Sequence, residues 1–277
     1  MIGRSTGPLA AGGAGARRWL PTLLTGCAAV ALLLHGPIAQ PPHYHEFADT
    51  RALLGVPNAA DVLSNAGFAV VGAWGLLALW PARRHPALAA GWPGYGLFLM
   101  ALILTAAGSG YYHLAPDNAR LVWDRLPIAL ACAGLLAAVR AETRPDASAL
   151  RWTVLLAAGA VASVAWWILT EKHGQGDLRP YLLLQALPLL LIPLWQAAYH
   201  APHDDRIAFG MAIALYVLAK AAELSDHALF SALGSMSGHT IKHLAASAAA
   251  AVLVTQLRRR VRPDPNTGAE RSRERWP

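Results

Sequence analysis

Cysteine is nearly missing from this chain of 277 residues: Cys27 and Cys132 are its sole representatives. Both lie inside apolar runs, which excludes a disulfide framework and a cysteine-based zinc cluster. Charge is scarce as well. Asp, Glu, Lys and Arg supply 14% of the residues against 55% apolar ones, far from the balance of a soluble domain. The His-Glu-x-x-His pattern of soluble zinc proteases is also absent.

What the chain has in abundance is apolar sequence. About 20 apolar residues suffice for a helix to cross the hydrocarbon core of a bilayer. Such stretches stand near Leu20 to Ile38, Val62 to Trp80, Tyr95 to His113, Leu121 to Val139, Trp152 to Thr170, Tyr181 to Tyr199, Ile207 to Glu223 and His239 to Leu257. The pattern predicts an all-α fold: a polytopic membrane helical bundle of seven core transmembrane helices plus one extra N-terminal helix. That first segment reads as a retained helix or as a cleaved signal peptide ending near Pro37-Ile38-Ala39. Its apolar run exceeds the ~7 to 15 residues of a signal core, which favours retention.

The net charge of +7 invites a nucleic-acid reading, but its distribution argues otherwise. With Arg17 and Arg18 inside, the inner loops carry Arg83/Arg84, Arg140/Arg144/Arg151, Arg206 and the cluster Arg258, Arg259, Arg260 and Arg262. This is the positive-inside bias of a membrane protein, with no nucleic-acid partner and no obligate protein partner implied. If the chain is bacterial, the membrane is the inner one, with a cytoplasmic C-terminus.

Against this background, ionisable residues inside apolar segments stand out, since a free charge at membrane depth is costly and marks a site. Ser109 and His113 lie four residues apart on one helical face, as do His239 and His243. The same count places both pairs on the outer side, along with Asp124 at the start of the next segment. Each feature alone has a blander reading. Gly108-Ser109-Gly110 suits a small-residue helix contact, His239 suits a helix start, and Asp124 could favour the positive end of its helix dipole. Asp117 already supplies that cap, however, which leaves Asp124 two turns further in. Three imidazoles with one open position form a standard catalytic zinc set, whereas structural zinc needs a fourth protein ligand. A nearby carboxylate can carry the proton and a hydroxyl can donate to an oxyanion.

The remaining histidines fit less well. His200 and His203 fall on the opposite side, and His43 and His45 sit in a proline-rich loop. Gly234-Ser235-Met236-Ser237-Gly238 has serine where the Gly-x-Ser-Gly of intramembrane rhomboid proteases requires its first glycine. Lys220 and Glu223, three residues apart, read as a local ion pair; a transporter with a polar path through Lys220, Glu223 and Asp226 is the competing view.

Together, Ser109-x-x-x-His113, Asp124-x-x-Pro127 and His239-x-x-x-His243 resemble the alkaline ceramidase family, part of a group of seven-helix membrane hydrolases that includes the adiponectin receptors. The resemblance spans about His45 to Leu257. The stretch from Ala48-Asp49-Thr50-Arg51 through Gly55-Val56-Pro57-Asn58, with Asp61 and Ser64-Asn65, is similar to its bacterial branch. It implies a zinc-dependent amidase that cleaves the N-acyl bond of ceramide, with membrane lipids around it and a lipid amide as substrate. His113, His239 and His243 would bind zinc, Asp124 would handle protons, and Ser109 would support the substrate carbonyl or oxyanion. The family's calcium site has its counterpart here in Asp49, Asn58 and Asp61, but with different spacing, so calcium is doubtful; the three also suit turn and helix caps. Asp226 would stand behind a ligand or cap a loop. The family's aromatic residues between the last two histidines are here Thr240, Ile241 and Lys242. The implied division is 1–40 for tail and extra helix, 41–257 for the hydrolase domain and 258–277 for a basic, disordered cytoplasmic tail. A seven-helix lipid receptor with structural zinc and little turnover is the alternative.

Overall fold

The computed structural model describes residues 9–144 and 148–262, with side chains from residue 19 onward. Of the disordered tail expected over 258–277, residues 258–260 belong instead to the last helix, and residues 263–277 lie outside the described residues. In chain order the helices are α1 (Leu9–His35), α2 (Ala59–Ser64), α3 (Ala66–Leu79), α4 (Pro86–Ala89), α5 (Trp92–Leu114), α6 (Asn118–Thr143), α7 (Ala149–Lys172), α8 (Arg179–Ala198), α9 (His203–Leu224), α10 (Asp226–Leu233) and α11 (Gly238–Arg260). No strand occurs among the described residues.

Seven segments are long and apolar enough to cross a membrane: α2 and α3 together as Ala59–Leu79, then α5, α6, α7, α8, α9 and α11. The apolar part of α1, Trp19–His35, is shorter. The chain is thus a multi-pass membrane bundle with one additional N-terminal helix. Its outward faces keep Val70, Leu77, Leu155 and Val217 exposed, as lipid contact requires. Three features differ from the sequence reading. The second span starts at Ala59 and is broken at Asn65, α10 occupies part of the expected Leu224 to Gly238 loop, and α11 continues through Arg260 rather than ending at Leu257.

The helices pack through small residues, since lipid supplies no hydrophobic force to press them together. Gly94 of α5 and Gly134 of α6 face one another so closely that a side chain on either would meet backbone of the other helix. A second close approach lies at the other end of this antiparallel pair. Pro127 has no N–H to bond the carbonyl of Trp123, one turn earlier. Gly108 packs against that Trp123 carbonyl, leaving no room for a methyl group. The crossing sets His113, one turn on from Ser109, beside the first turns of α6. Gly108→Ala is expected to lower stability by about 1–3 kcal/mol, the usual range for overpacking, read as thermal unfolding in detergent. Gly110→Ala, which meets nothing within 4 Å, is the control that should not change.

At the bundle end opposite His113, Arg260 of α11 binds Glu142 of α6 at 2.7 Å and Asp205 of α9 at 2.9 Å. Tyr95 of α5 donates to Glu142 at 2.9 Å, and Gln256 donates to Asp205 at 2.8 Å. Four helices are clamped there by one guanidinium. The N-terminal helix is fixed separately, along α8. The Leu178 amide donates to the Ile38 carbonyl at 2.8 Å, while Arg179 reaches the carbonyls of Leu32 and Leu33. Burial alone would raise the Asp177 carboxyl. Hydrogen bonds from Arg179 and Trp166 outweigh it and hold the group well below the usual carboxylate range.

Candidate metal centre

His113 closes α5, and His239 and His243 open α11, so the three rings meet where two helix ends converge. All three are buried, with 1%, 6% and 3% of their surfaces exposed. Their candidate ligand atoms lie within 4.8 Å of one another, the one gathering of three metal-capable groups among the described residues. Nε2 of His113 and Nε2 of His239 stand 3.2 Å apart. Two nitrogens about 2.05 Å from a tetrahedral zinc would be separated by roughly 3.3 Å. That pair is spaced as two nitrogen ligands of one ion would be, and the trio together could hold a metal ion. Ring centroids 4.8 to 5.1 Å apart, with interplanar angles from 67° to 86°, set the imidazoles steeply across one another rather than stacked.

Neighbouring groups orient the rings. Ser64 contacts Nδ1 of His243 at 2.8 Å and donates its own proton to the carbonyl of Asp61 at 3.0 Å. With its hydroxyl proton so used, Ser64 accepts from Nδ1–H, which leaves Nε2 of His243 as a lone-pair donor. Phe47, in the loop before α2, packs edgewise on His239 at 4.4 Å and tilted on His113 at 4.7 Å. Asn58 donates to the His113 carbonyl at 2.8 Å, satisfying an acceptor that the end of α5 leaves free.

The acidic residues divide by role. Asp124 is buried, at 7% exposed, and within electrostatic reach of Lys242, Arg125 and Glu223. The buried Ser109 hydroxyl interacts with Asp124 but has no partner in hydrogen-bond geometry. Asp226 does not touch an imidazole. Its two oxygens accept from the His239 backbone amide at 2.7 Å and the Ala48 amide at 2.9 Å, so it holds the start of α11 against the Phe47 loop.

Asp49, Asn58 and Asp61 are engaged with different partners. Hydrogen bonds from Arg51 hold the Asp49 carboxyl below its ordinary range, and Arg51 also binds the carbonyls of Gly234 and Ser235. Asn58 holds α5, as described. One oxygen of Asp61 accepts from Thr240 at 2.6 Å and Ser237 at 3.3 Å, while the other is buried without a partner.

Two features were not visible in the sequence. Lys242 reaches Nε2 of His239 at 2.8 Å and Glu223 at 3.0 Å, and Glu223 also pairs with Lys220. The lysine's place between the two histidines was the available signal. His45 is not a free loop histidine: it bonds Tyr112 and Asn118, each at 2.9 Å. Nothing in the spacing of His43 and His45 marks that difference, since the partners lie more than 60 residues away.

No family model, curated protein or solved structure matches the chain.

Proposed function

We propose that the chain is a zinc-dependent integral-membrane amidase that hydrolyses the N-acyl bond of ceramide-like lipid amides to a long-chain base and a fatty acid. The observation that carries this reading is the buried trio of His113, His239 and His243, two of whose Nε2 atoms stand at a tetrahedral-edge separation of 3.2 Å. Those three residues would hold the ion. Zinc bound by three histidines polarises a carbonyl oxygen and lowers the pKa of its water to about 7.

The chain's own groups supply the rest. Asp124 takes the proton released as water adds to the amide carbon, then gives it to the departing nitrogen as the C–N bond breaks. Water and amide thereby become carboxylic acid and amine. Ser109, one turn before His113 and beside Asp124, donates to the carbonyl oxygen as its negative charge grows. Ser64 fixes the His243 ring so that the same nitrogen always faces inward. The arginine-bearing loops favour a cytoplasmic C-terminus, which puts the histidine end on the outer, periplasmic face if the protein is bacterial.

The test is metal analysis of the purified protein beside hydrolysis of a labelled N-acyl sphingolipid, with and without chelator. About one zinc per chain and turnover abolished by chelation are expected. Activity that persists after zinc removal would refute the mechanism, and zinc without turnover would favour a lipid-binding protein.

A further inference from the structure

Two large apolar side chains stand open outside the spans. Leu53 and Leu54, at the tip of a tight turn in the loop before α2, are 57% and 96% exposed. Leu53 and Val56 close the turn with paired backbone hydrogen bonds at 3.1 and 3.0 Å, while Leu54 and Gly55 take φ of 51° and 81°. Positive φ at both central positions is the type I′ form, whose preferred pair is Asn-Gly. Gly55 suits it, but leucine is strained there and asparagine would serve the turn better. The chain therefore keeps an apolar side chain in a backbone conformation that disfavours it, and keeps it exposed. Strain and exposure at one residue point to a contact made by that side chain.

The depth of the turn identifies its partner. The Ala59 amide donates to the Arg51 carbonyl at 3.0 Å, so the loop closes on the first residue of the Ala59–Leu79 span. That span has 21 residues, about 32 Å at ~1.5 Å per residue, which matches the ~30 Å hydrocarbon core and sets Ala59 at its boundary. Leu53 is two residues from Arg51, roughly 7 Å when extended, and the headgroup layer is itself about 5–7 Å thick on each side. The tip thus stays at the level of the headgroups, where a leucine can turn into the acyl chains. Its surroundings are apolar on both sides. Arg51 donates to the carbonyls of Gly234 and Ser235, which brings exposed Leu233 and Met236 close by, and Leu63 on α2 continues the lipid-facing surface downward. We propose that the Leu53-Leu54 turn is a wedge inserted into the bilayer leaflet on the histidine side, with lipid acyl chains as its partner. Phe47, packed on His113 and His239, precedes the wedge and Asn58, bonded to the His113 carbonyl, follows it. Anchoring the loop between them fixes the depth of the histidine trio whatever reaction it performs.

Nitroxide labels on the full chain in phosphatidylcholine vesicles test this, on a background of Cys27→Ser and Cys132→Ala. The label goes at Leu54→Cys. Val70→Cys on α3 is the lipid-facing reference, and Gln175→Cys, exposed in the α7–α8 loop at the same end of the bundle, is the aqueous one. Oxygen concentrates among acyl chains and a nickel chelate stays in water. Collisions with oxygen should therefore exceed those with the chelate at 54, as at 70, and the order should reverse at 175. If Leu54→Cys disturbs the turn, Leu53→Cys reports from a position without positive φ. Adding Leu54→Asn to the label at 53 supplies the residue the turn prefers while removing the apolar tip, and should shift that label toward the aqueous value. Chelate collisions in excess at both 53 and 54, or a label at 53 unmoved by Leu54→Asn, would overturn the inference. Labels shielded from both reagents and broadened by spin–spin coupling would overturn it in favour of contact with a second copy. None of these readings involves turnover, so the amidase proposal stands or falls separately.

Discussion

His243→Ala is expected to strip the protein of stoichiometric zinc and of amidase activity while leaving the bundle folded. The ring sits on the second turn of a 23-residue helix and is 3% exposed, so its removal opens a small cavity but breaks no ion pair. What it removes is one of three ligands. Losing a group that merely orients a ligand costs about 10–100-fold in metal affinity, so losing the ligand itself should cost at least ~100-fold. Ser64→Ala provides the graded comparison, because it leaves His243 present but frees its Nδ1. It should retain zinc with affinity lowered by that smaller factor. Inductively coupled plasma analysis gives stoichiometry, and competition with a chromophoric chelator gives affinity. Zinc bound equally well by both variants and the wild type would show that the ion sits elsewhere.

Arg260→Ala should be the most destabilising substitution in the chain. Its side chain is 13% exposed and binds Glu142 and Asp205, themselves 20% and 7% exposed. Truncation leaves two buried carboxylates facing each other with no cation between them. Breaking a buried pair in this way costs about 3–5 kcal/mol in soluble proteins. Single interhelical hydrogen bonds in membranes are weaker, about 0.6–2 kcal/mol. The charge left unpaired decides between these ranges, and about 3 kcal/mol is expected from unfolding in mixed micelles. Arg260→Lys keeps the charge but not the two-sided reach of the guanidinium and should recover only part of the loss. A melting temperature unchanged in Arg260→Ala would show that the clamp contributes nothing.

The spans and the histidine trio were legible because both rest on local rules: apolar length, and spacing that places residues on one helical face. Asp117 was legible as a cap for the same reason; it accepts from the Arg120 amide at 2.7 Å. The contacts that shape the site were not. Ser64 and His243 are 179 positions apart, and only the packing of α2 on α11 joins them. Lys242 reads in sequence as a charged residue on a helix, and its reach to His239 and Glu223 depends on how α9 meets α11. Phe47 was one aromatic in an unstructured loop until Asp226 pinned the adjacent Ala48 amide. Asp49 and Asp61 carry no local mark that separates a clasp from a ligand, because either role needs a carboxylate near a turn.

Helix ends ordinarily fray, yet the first turn of α11 is gripped from three sides. Asp226 takes the His239 amide, Ser237 takes the Thr240 amide, and Asp61 takes the Thr240 hydroxyl. Two of the three histidines are therefore mounted on a terminus that hydrogen bonds from outside the helix hold in place. Ion capture then demands little loss of chain entropy, unlike a zinc finger whose fold forms only around its metal. Hydrogen exchange of the His239 and Thr240 amides should be correspondingly slow in metal-free protein.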